Sequence, residues 1–367
     1  MLAAPCAIAN ADELSDIAVT LRLQAQLPGV AVARIAPNDV EVAATGLRRS
    51  DAPDALQSGD RFHIGSINKS LTALLAGILV DAGVTSWDAQ IGVAFPELLD
   101  VMHPAYRTTT LAELLAHRAG VIALLDQESL GNLPSLSVDP TIARSEFTRW
   151  ALQRQPEFAA GSDASYSNGG YAVAAAMLER MSGVSYESLV TQRLLRPLSI
   201  PPRFSWPAQH GLMQPWGHTY SGSGWIPNDP DAPENAFPQF LNPAGNLSLS
   251  LPELAKFVQL HLRGLRGNCA IAQSDTFLAL HTPLSSAGYS LGWLEFQEFS
   301  YVAGSAGTFY VIAILDRTAS SAAVVATNAA RDDEAFTNLL NSSLASVLAV
   351  DVDSERLFSA TLEGCGL

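Results

Sequence analysis

Lysine is nearly missing from this chain. Its 367 residues contain 21 Lys plus Arg, and the lysines among them are Lys69 and Lys256 alone. Against 36 Asp plus Glu the formal net charge is −15. Binding a nucleic-acid backbone requires a basic surface, and this composition supplies none, so nucleic acid is not expected as a partner. Cysteine is also scarce, with Cys6, Cys269 and Cys365 making up the total of 3. No Cys/His cluster has metal-ligand spacing, so neither a metal nor another cofactor is expected. Long apolar runs are lacking too. The longest, Leu71 to Val80, is interrupted by Thr72 and Gly77 and ends at Asp81. That is short of the roughly 18 residues a membrane span needs, and it reads as a buried helix.

The apolar fraction of 48% against 16% charged residues permits a sizeable core and argues against disorder. The length suits one large domain with an insertion, or two intimate domains. Residues 1–11, MLAAPCAIANA, are small and apolar and end on Ala9-Asn10-Ala11, which has the small-x-small form of a signal-peptidase site. They read as the remnant of an export signal, which places the protein in the periplasm or outside the cell. No basic segment precedes them, and a disordered cytosolic N-terminus is the plainer alternative. In an exported protein Cys269 and Cys365 are able to pair as a disulfide, or they remain buried thiols.

Strand patterns cluster at the two ends. From Pro28 to Leu47, Val30, Val32 and Arg34 alternate with Ala31, Ala33 and Ile35; Pro37-Asn38-Asp39 breaks the run, and Val40, Val42 and Ala44 resume it, as in a β-hairpin. Thr308 to Leu315 and Ser321 to Asn328 form a second pair around Asp316-Arg317-Thr318. Helices are expected at 12–26 and 333–350. The middle of the chain is mostly helical, and residues 197–243 read as a long ordered loop shaping a cleft. The expected fold is α/β of the α+β kind: one antiparallel sheet built from both chain ends, covered by the terminal helices, with a helical middle packed against it. Residues 12–65 with 291–367 would form the sheet domain, and 66–290 the helical domain and cleft loops. The seam between them is the default pocket.

Phe62 to Gly83 reads FHIGSINKSLTALLAGILVDAG. Gly65 permits a tight turn, Ser66 suits a helix N-terminus, and Gly83 a helix stop. The helix is apolar nearly all round, hence buried. Residues three apart on a helix are neighbours, so the Lys69 amine reaches the Ser66 hydroxyl. Burial disfavours the charged amine, and a neutral amine accepts the serine proton. Further on, Gly161 to Gly170 reads GSDASYSNGG, a polar loop before a helix expected from Tyr171 to Met181. In an extended loop, Tyr166 and Asn168 point the same way and face one cleft. Taken singly, each of these motifs is weak: Ser66 could be only a cap, and Tyr166 only a surface tyrosine.

Their order and spacing strengthen them. Ser66-Ile67-Asn68-Lys69, followed about 100 residues on by Tyr166-Ser167-Asn168, resembles the Ser-x-x-Lys and Tyr-x-Asn elements of the penicillin-recognising serine hydrolases: class C β-lactamases, DD-carboxypeptidases and β-lactamase-like esterases. Leu111 to Val121, Gly170 to Leu198 and Pro243 to Phe257 also resemble segments of that family, and the likeness spans roughly residues 28 to 330. It implies a β-lactamase-like fold and an acyl-enzyme mechanism, with Ser66 as nucleophile, Lys69 as base, Tyr166 as second base and proton donor, and Asn168 positioning substrate. It makes His117 structural rather than catalytic. The family's third element, Lys-Thr-Gly or His-x-Gly, best matches Val302-Ala303-Gly304-Ser305. Gly304 would let substrate backbone approach the strand. The backbone N–H groups of Ser66 and Ser305 would form the oxyanion hole.

Val302 stands where relatives carry a lysine or histidine. Valine neither binds a substrate carboxylate nor assists proton transfer. The expected activity is therefore hydrolysis of an ester, amide or peptide bond in a small-molecule or peptide substrate, rather than β-lactamase or DD-carboxypeptidase activity proper. An arginine supplied from elsewhere would undo that inference. A non-catalytic binding module on the same fold is the alternative from another class. Trp216, His218 and Tyr220 are candidates for the pocket lining. A monomer or small homo-oligomer is expected.

Overall fold

The structure, a computed structural model, describes residues 11–211 and 213–349. The export remnant expected over residues 1–11 lies outside the described residues except for Ala11. Cys6 and Cys365 lie outside them too, and Cys269 is exposed.

The strands are β1 (Gly29–Ala36), β2 (Asp39–Gly46), β3 (Arg61–His63), β4 (Gly217–Tyr220), β5 (Trp225–Asn228), β6 (Ser248–Ser250), β7 (Leu294–Phe296), β8 (Phe299–Ser305), β9 (Tyr310–Asp316) and β10 (Ser321–Thr327). The helices are α1 (Ala11–Gln24), α2 (Asn68–Asp81), α3 (Ile91–Ala94), α4 (Leu111–Leu115), α5 (Gln127–Gly131), α6 (Pro140–Leu152), α7 (Asn168–Ser182), α8 (Tyr186–Val190), α9 (Leu251–Gly264), α10 (Ser274–Leu280) and α11 (Glu334–Leu348). Six strands form one antiparallel sheet in the order β2-β1-β10-β9-β8-β7.

The sheet joins the chain ends as expected. The β1–β2 hairpin turns at Pro37-Asn38, with Ala36 opposite Asp39, and β1 pairs with β10 with Val30 opposite Thr327. Both faces of β1 are buried. Val30 and Val32 pack with Leu14, Leu21, Phe336 and Leu340 of the terminal helices. Ala31, Ala33 and Ile35 join the larger core shared with α2, α7 and α9. Burying each larger aliphatic side chain contributes about 1.5–3 kcal/mol, so two covered faces hold the long-range pairing in place.

The middle of the chain is not purely helical. It contributes one small antiparallel pair, β4 with β5, and the strand β6, which pairs with β3 from the segment before it. Strands of three or four residues are too short to show a two-residue period. Helix α2 ends where expected, with Gly83 at φ +68° just beyond it. Helix α7 starts three residues earlier than the pattern suggested, because Ser167 caps it by accepting the Gly170 N–H at 2.8 Å. No helix among the described residues is long and apolar enough to cross a membrane.

Candidate active site

Strand β3 leads into a 3-10 turn, Gly65–Ile67, and then α2. Gly65 adopts φ +49°, a conformation open to glycine at little cost. A Cβ there would lie 2.6 Å from Ser305 N, so the turn is pressed against the end of β8. Ser66 stands at this contact, on the wall of a cleft of about 490 Å³.

The hydroxyl of Ser66 meets two groups at once. Lys69 Nζ lies 3.0 Å from Ser66 Oγ, and the Tyr166 hydroxyl donates to the same oxygen at 2.6 Å. Lys69 is 2% exposed. Its amine also donates to Asn168 Oδ1 at 2.7 Å and to the Ala244 carbonyl at 2.9 Å, and it sits 4.6 Å from the centre of the Tyr166 ring. Ser66, Lys69, Tyr166 and Asn168 thus converge as the sequence suggested, with Tyr166 and Asn168 on the same side of their loop.

Asn168 lines the cleft beside Ser66. Its Oδ1 accepts from Lys69 and its Nδ2 donates to the Leu124 carbonyl at 2.8 Å. The amide thus orients the lysine, and its Nδ2 carries a second N–H. Gly304 departs from its expected role. A Cβ at 304 would collide with the Ile64 carbonyl and lie 2.8 Å from Ser66 N. The missing side chain makes room for the nucleophile turn rather than for substrate backbone. Ser305 lines the cleft beside Ser66. Val302 is buried and, with Ser66, Lys69 and Tyr166, lines a separate small cavity of about 40 Å³.

His117 is buried beneath the Tyr166 loop. Its Nδ1 accepts the Ser167 N–H at 3.1 Å, and its ring lies 4.5 Å from that of Tyr166. Burial holds its pKa well below the usual imidazole value. Trp216 lines the cleft, but His218 and Tyr220 do not. His218 is fully buried on β4, where Nε2 accepts the Ser50 N–H at 3.0 Å and Nδ1 lies 2.7 Å from the Asn328 carbonyl. Its strand position turns it into the core. The arginine on the cleft wall among the described residues is Arg331, whose Nε donates to Asp333 Oδ2 at 2.6 Å, with Asp332 beside it. Its charge is already compensated. No group of three or more His, Cys, Asp or Glu able to hold a metal ion occurs among the described residues.

Two features escaped the sequence reading. The Ala244 carbonyl lies in a segment picked out by resemblance, but nothing there marks a backbone oxygen as a lysine ligand. His63, two residues before Gly65, is fully buried and bonded to the Gly65 N–H. The signal available was an imidazole set beside a glycine turn.

This seam between a two-faced antiparallel sheet and a helical region, holding a Ser-Lys-Tyr cluster, is that of a serine hydrolase fold. A family model described as Beta-lactamase matches residues 9–345, and the chain belongs to that family of serine hydrolases. It is 22% identical to penicillin-binding protein 4 of Amycolatopsis lactamdurans over 346 residues, covering 90% of this chain and 88% of that one. Among solved structures it resembles the octameric penicillin-binding protein homologue from Pyrococcus abyssi, with a TM-score of 0.74 and 20% identity over 93% of this chain and 78% of that chain. It also resembles D-alanine carboxypeptidase AmpC from Burkholderia cenocepacia, with a TM-score of 0.72 and 18% identity over 93% and 99% of the two chains.

Proposed function

We propose that the protein hydrolyses ester, amide or peptide bonds through an acyl-enzyme on Ser66. The observation that carries this reading is the double approach to Ser66 Oγ by Lys69 and Tyr166. Two partners of the lysine amine, Asn168 Oδ1 and the Ala244 carbonyl, only accept, so they take N–H protons. A neutral amine meets both and keeps a lone pair for the serine proton. Ser66 Oγ then attacks the carbonyl carbon as its proton passes to Lys69. The N–H groups of Ser66 and Ser305 receive the oxyanion. Tyr166 protonates the leaving alcohol or amine and regains a proton from Lys69. In the second half, water attacks the acyl carbonyl, gives its proton to the same base, and Ser66 recovers its own.

The substrate side favours acyl donors without a carboxylate at the third element. Val302 offers no charge, and Arg331 is held by Asp333. β-Lactams and D-Ala-D-Ala peptides, suggested by the names of the relatives, are the second reading. The export reading of residues 1–11 places the activity in the periplasm or outside the cell, which cell fractionation checks. A fluorophosphonate probe read by mass spectrometry should label Ser66, and p-nitrophenyl ester turnover should vanish in Ser66→Ala. Labelling elsewhere, or turnover that survives in Ser66→Ala, rejects the proposal. Absence of both in a folded sample would favour the binding module.

A further inference from the structure

Two stretches of chain far apart in sequence lie side by side under the nucleophile. The Ile64 N–H donates to the Leu247 carbonyl at 2.9 Å. A Cβ on Gly245 would lie 2.9 Å from the Gly65 carbonyl carbon. Asn68 Nδ2 donates to the Asn242 carbonyl at 2.5 Å, and the Ala244 carbonyl accepts from Lys69. The stretch 242–247 therefore carries a ligand of the lysine while flanking the turn that carries the serine.

His63 joins the two. Its Nδ1 accepts the Gly65 N–H at 3.3 Å, and its Nε2 lies 3.3 Å from Asn246 Oδ1. The Gly65 amide can only donate, and Oδ1 of Asn246 can only accept. Both bonds form together only in the neutral tautomer with the proton on Nε2. The amide of Asn246 is itself oriented, since its Nδ2 donates to Asn242 Oδ1 at 2.8 Å, and Asn242 Nδ2 donates to Glu187 Oε1 at 2.8 Å. The imidazole is fixed in its plane by Trp206, with ring centres 4.4 Å apart, and by Phe237 at 5.7 Å. Both aromatics also line the cleft.

We propose that His63 is a positioning residue of the hydrolase: through the Gly65 N–H it sets the Ser66 turn and the Ser66 N–H of the oxyanion hole, and through Asn246 it locks that turn to the strand of chain that holds Lys69. This rests on the acyl-enzyme reading of Ser66 above. His63 touches no reacting atom. Its role is to hold the serine, the lysine ligand and the aromatic wall in one frame.

The charged surroundings leave the imidazole neutral. On its own strand Arg61 is paired with Glu253 at 2.5 Å. Of the elements packed on β3, β6 carries no titratable group, β9 carries Tyr310 and Asp316, and the turn Pro207–His210 carries His210. None of these is among the hydrogen-bond partners of the His63 ring. Burial pushes its pKa down to about 4, opposed by the bond to Asn246. The frame is thus kept at neutral pH.

Three variants separate the two bonds. His63→Phe keeps an aromatic ring and removes both. His63→Asn places an acceptor near the Nδ1 position, and His63→Gln places a donor near the Nε2 position. In ester turnover, His63→Phe should lower kcat by about 10–100-fold with KM within about twofold, the cost of a small misplacement of the nucleophile. His63→Asn should recover most of that loss and His63→Gln less. Amide hydrogen exchange over residues 62–70 should quicken in His63→Phe and return toward wild type in His63→Asn. Unchanged kcat in a folded His63→Phe overturns the proposal, as does an equal loss in all three variants. Should wild type show no Ser66-dependent turnover, the hydrolase reading fails, and the exchange experiment alone decides whether His63 holds the turn.

Discussion

On the helical side of the cleft each reacting side chain is tied to another: Ser66 to Lys69 and Tyr166, Lys69 to Asn168 and the Ala244 carbonyl, Asn168 to the Leu124 carbonyl. On the strand side, Val302 is buried and offers no charge, Gly304 has no side chain to offer, and the arginine of the cleft wall is held by a carboxylate. Proton transfer demands placement to fractions of an ångström, and the mutual hydrogen bonds of the first side would supply it under the proposed mechanism. The second side would then select the molecule bound, and a change there would alter selectivity while the hydrogen-bonded cluster stays in place.

The difference is broken most severely at the base. Lys69→Arg keeps a cation that does not deprotonate, so kcat for a p-nitrophenyl ester should fall by roughly 10⁴-fold or more; activity within tenfold of wild type would place the base elsewhere. Tyr166→Phe leaves Ser66 bonded to Lys69 alone, and stopped-flow turnover should drop by about 10²–10⁴-fold. Asn168→Ala sharpens the contrast between the two sides. If the amide orients Lys69, kcat falls about 10–100-fold with KM nearly constant; a raised KM at constant kcat would return Asn168 to the substrate side. Val302→Lys tests that side directly. The ratio of kcat/KM for a carboxylate-bearing donor such as nitrocefin to that for a neutral ester should rise about tenfold, as for one added charged hydrogen bond. An unmoved ratio would separate carboxylate recognition from position 302.

The smallest effect concerns stability. His63 and His117 both have pKa values lowered by burial. Their unfolded counterparts titrate near 6.5, so below that the unfolded chain binds more protons than the native one, in the case of His63 down to about 4. Their contribution is complete above about pH 6.5 and is lost as pH falls, that of His63 toward pH 4. His63 alone accounts for up to roughly 3 kcal/mol of it. Urea midpoints measured from pH 7 to pH 4 should decline, and less steeply in a folded His63→Phe protein.

The periodic parts of the molecule were legible in the sequence. The β1–β2 hairpin showed because two valine-rich runs flank the Pro37-Asn38 turn, and α2 showed because it is apolar all round. Ser66 and Lys69 were suggested by their spacing on a helix, and Tyr166 joined them through the resemblance to the penicillin-recognising serine hydrolases. What escaped depends on contacts between distant segments. The β3–β6 pair is too short to carry a period. The use of Gly304 follows from the approach of Ile64, which no local pattern records. The contacts of Asn168 with Lys69 and the Leu124 carbonyl escaped because an amide's partners are invisible until those groups are placed beside it. His63 has no motif context in the sequence, and its meaning lies in Asn246, 183 positions away.

The pairing of β1 with β10 has a consequence for synthesis. The serine emerges from the ribosome early, but the strand whose Ser305 lies beside it on the cleft wall follows some 240 residues later, and the sheet closes only when Thr327 meets Val30. Such long-range pairings form late. A partly made chain therefore carries Ser66 without the strand that walls its cleft, and under the proposed mechanism competence would be postponed until almost the whole polypeptide has been delivered.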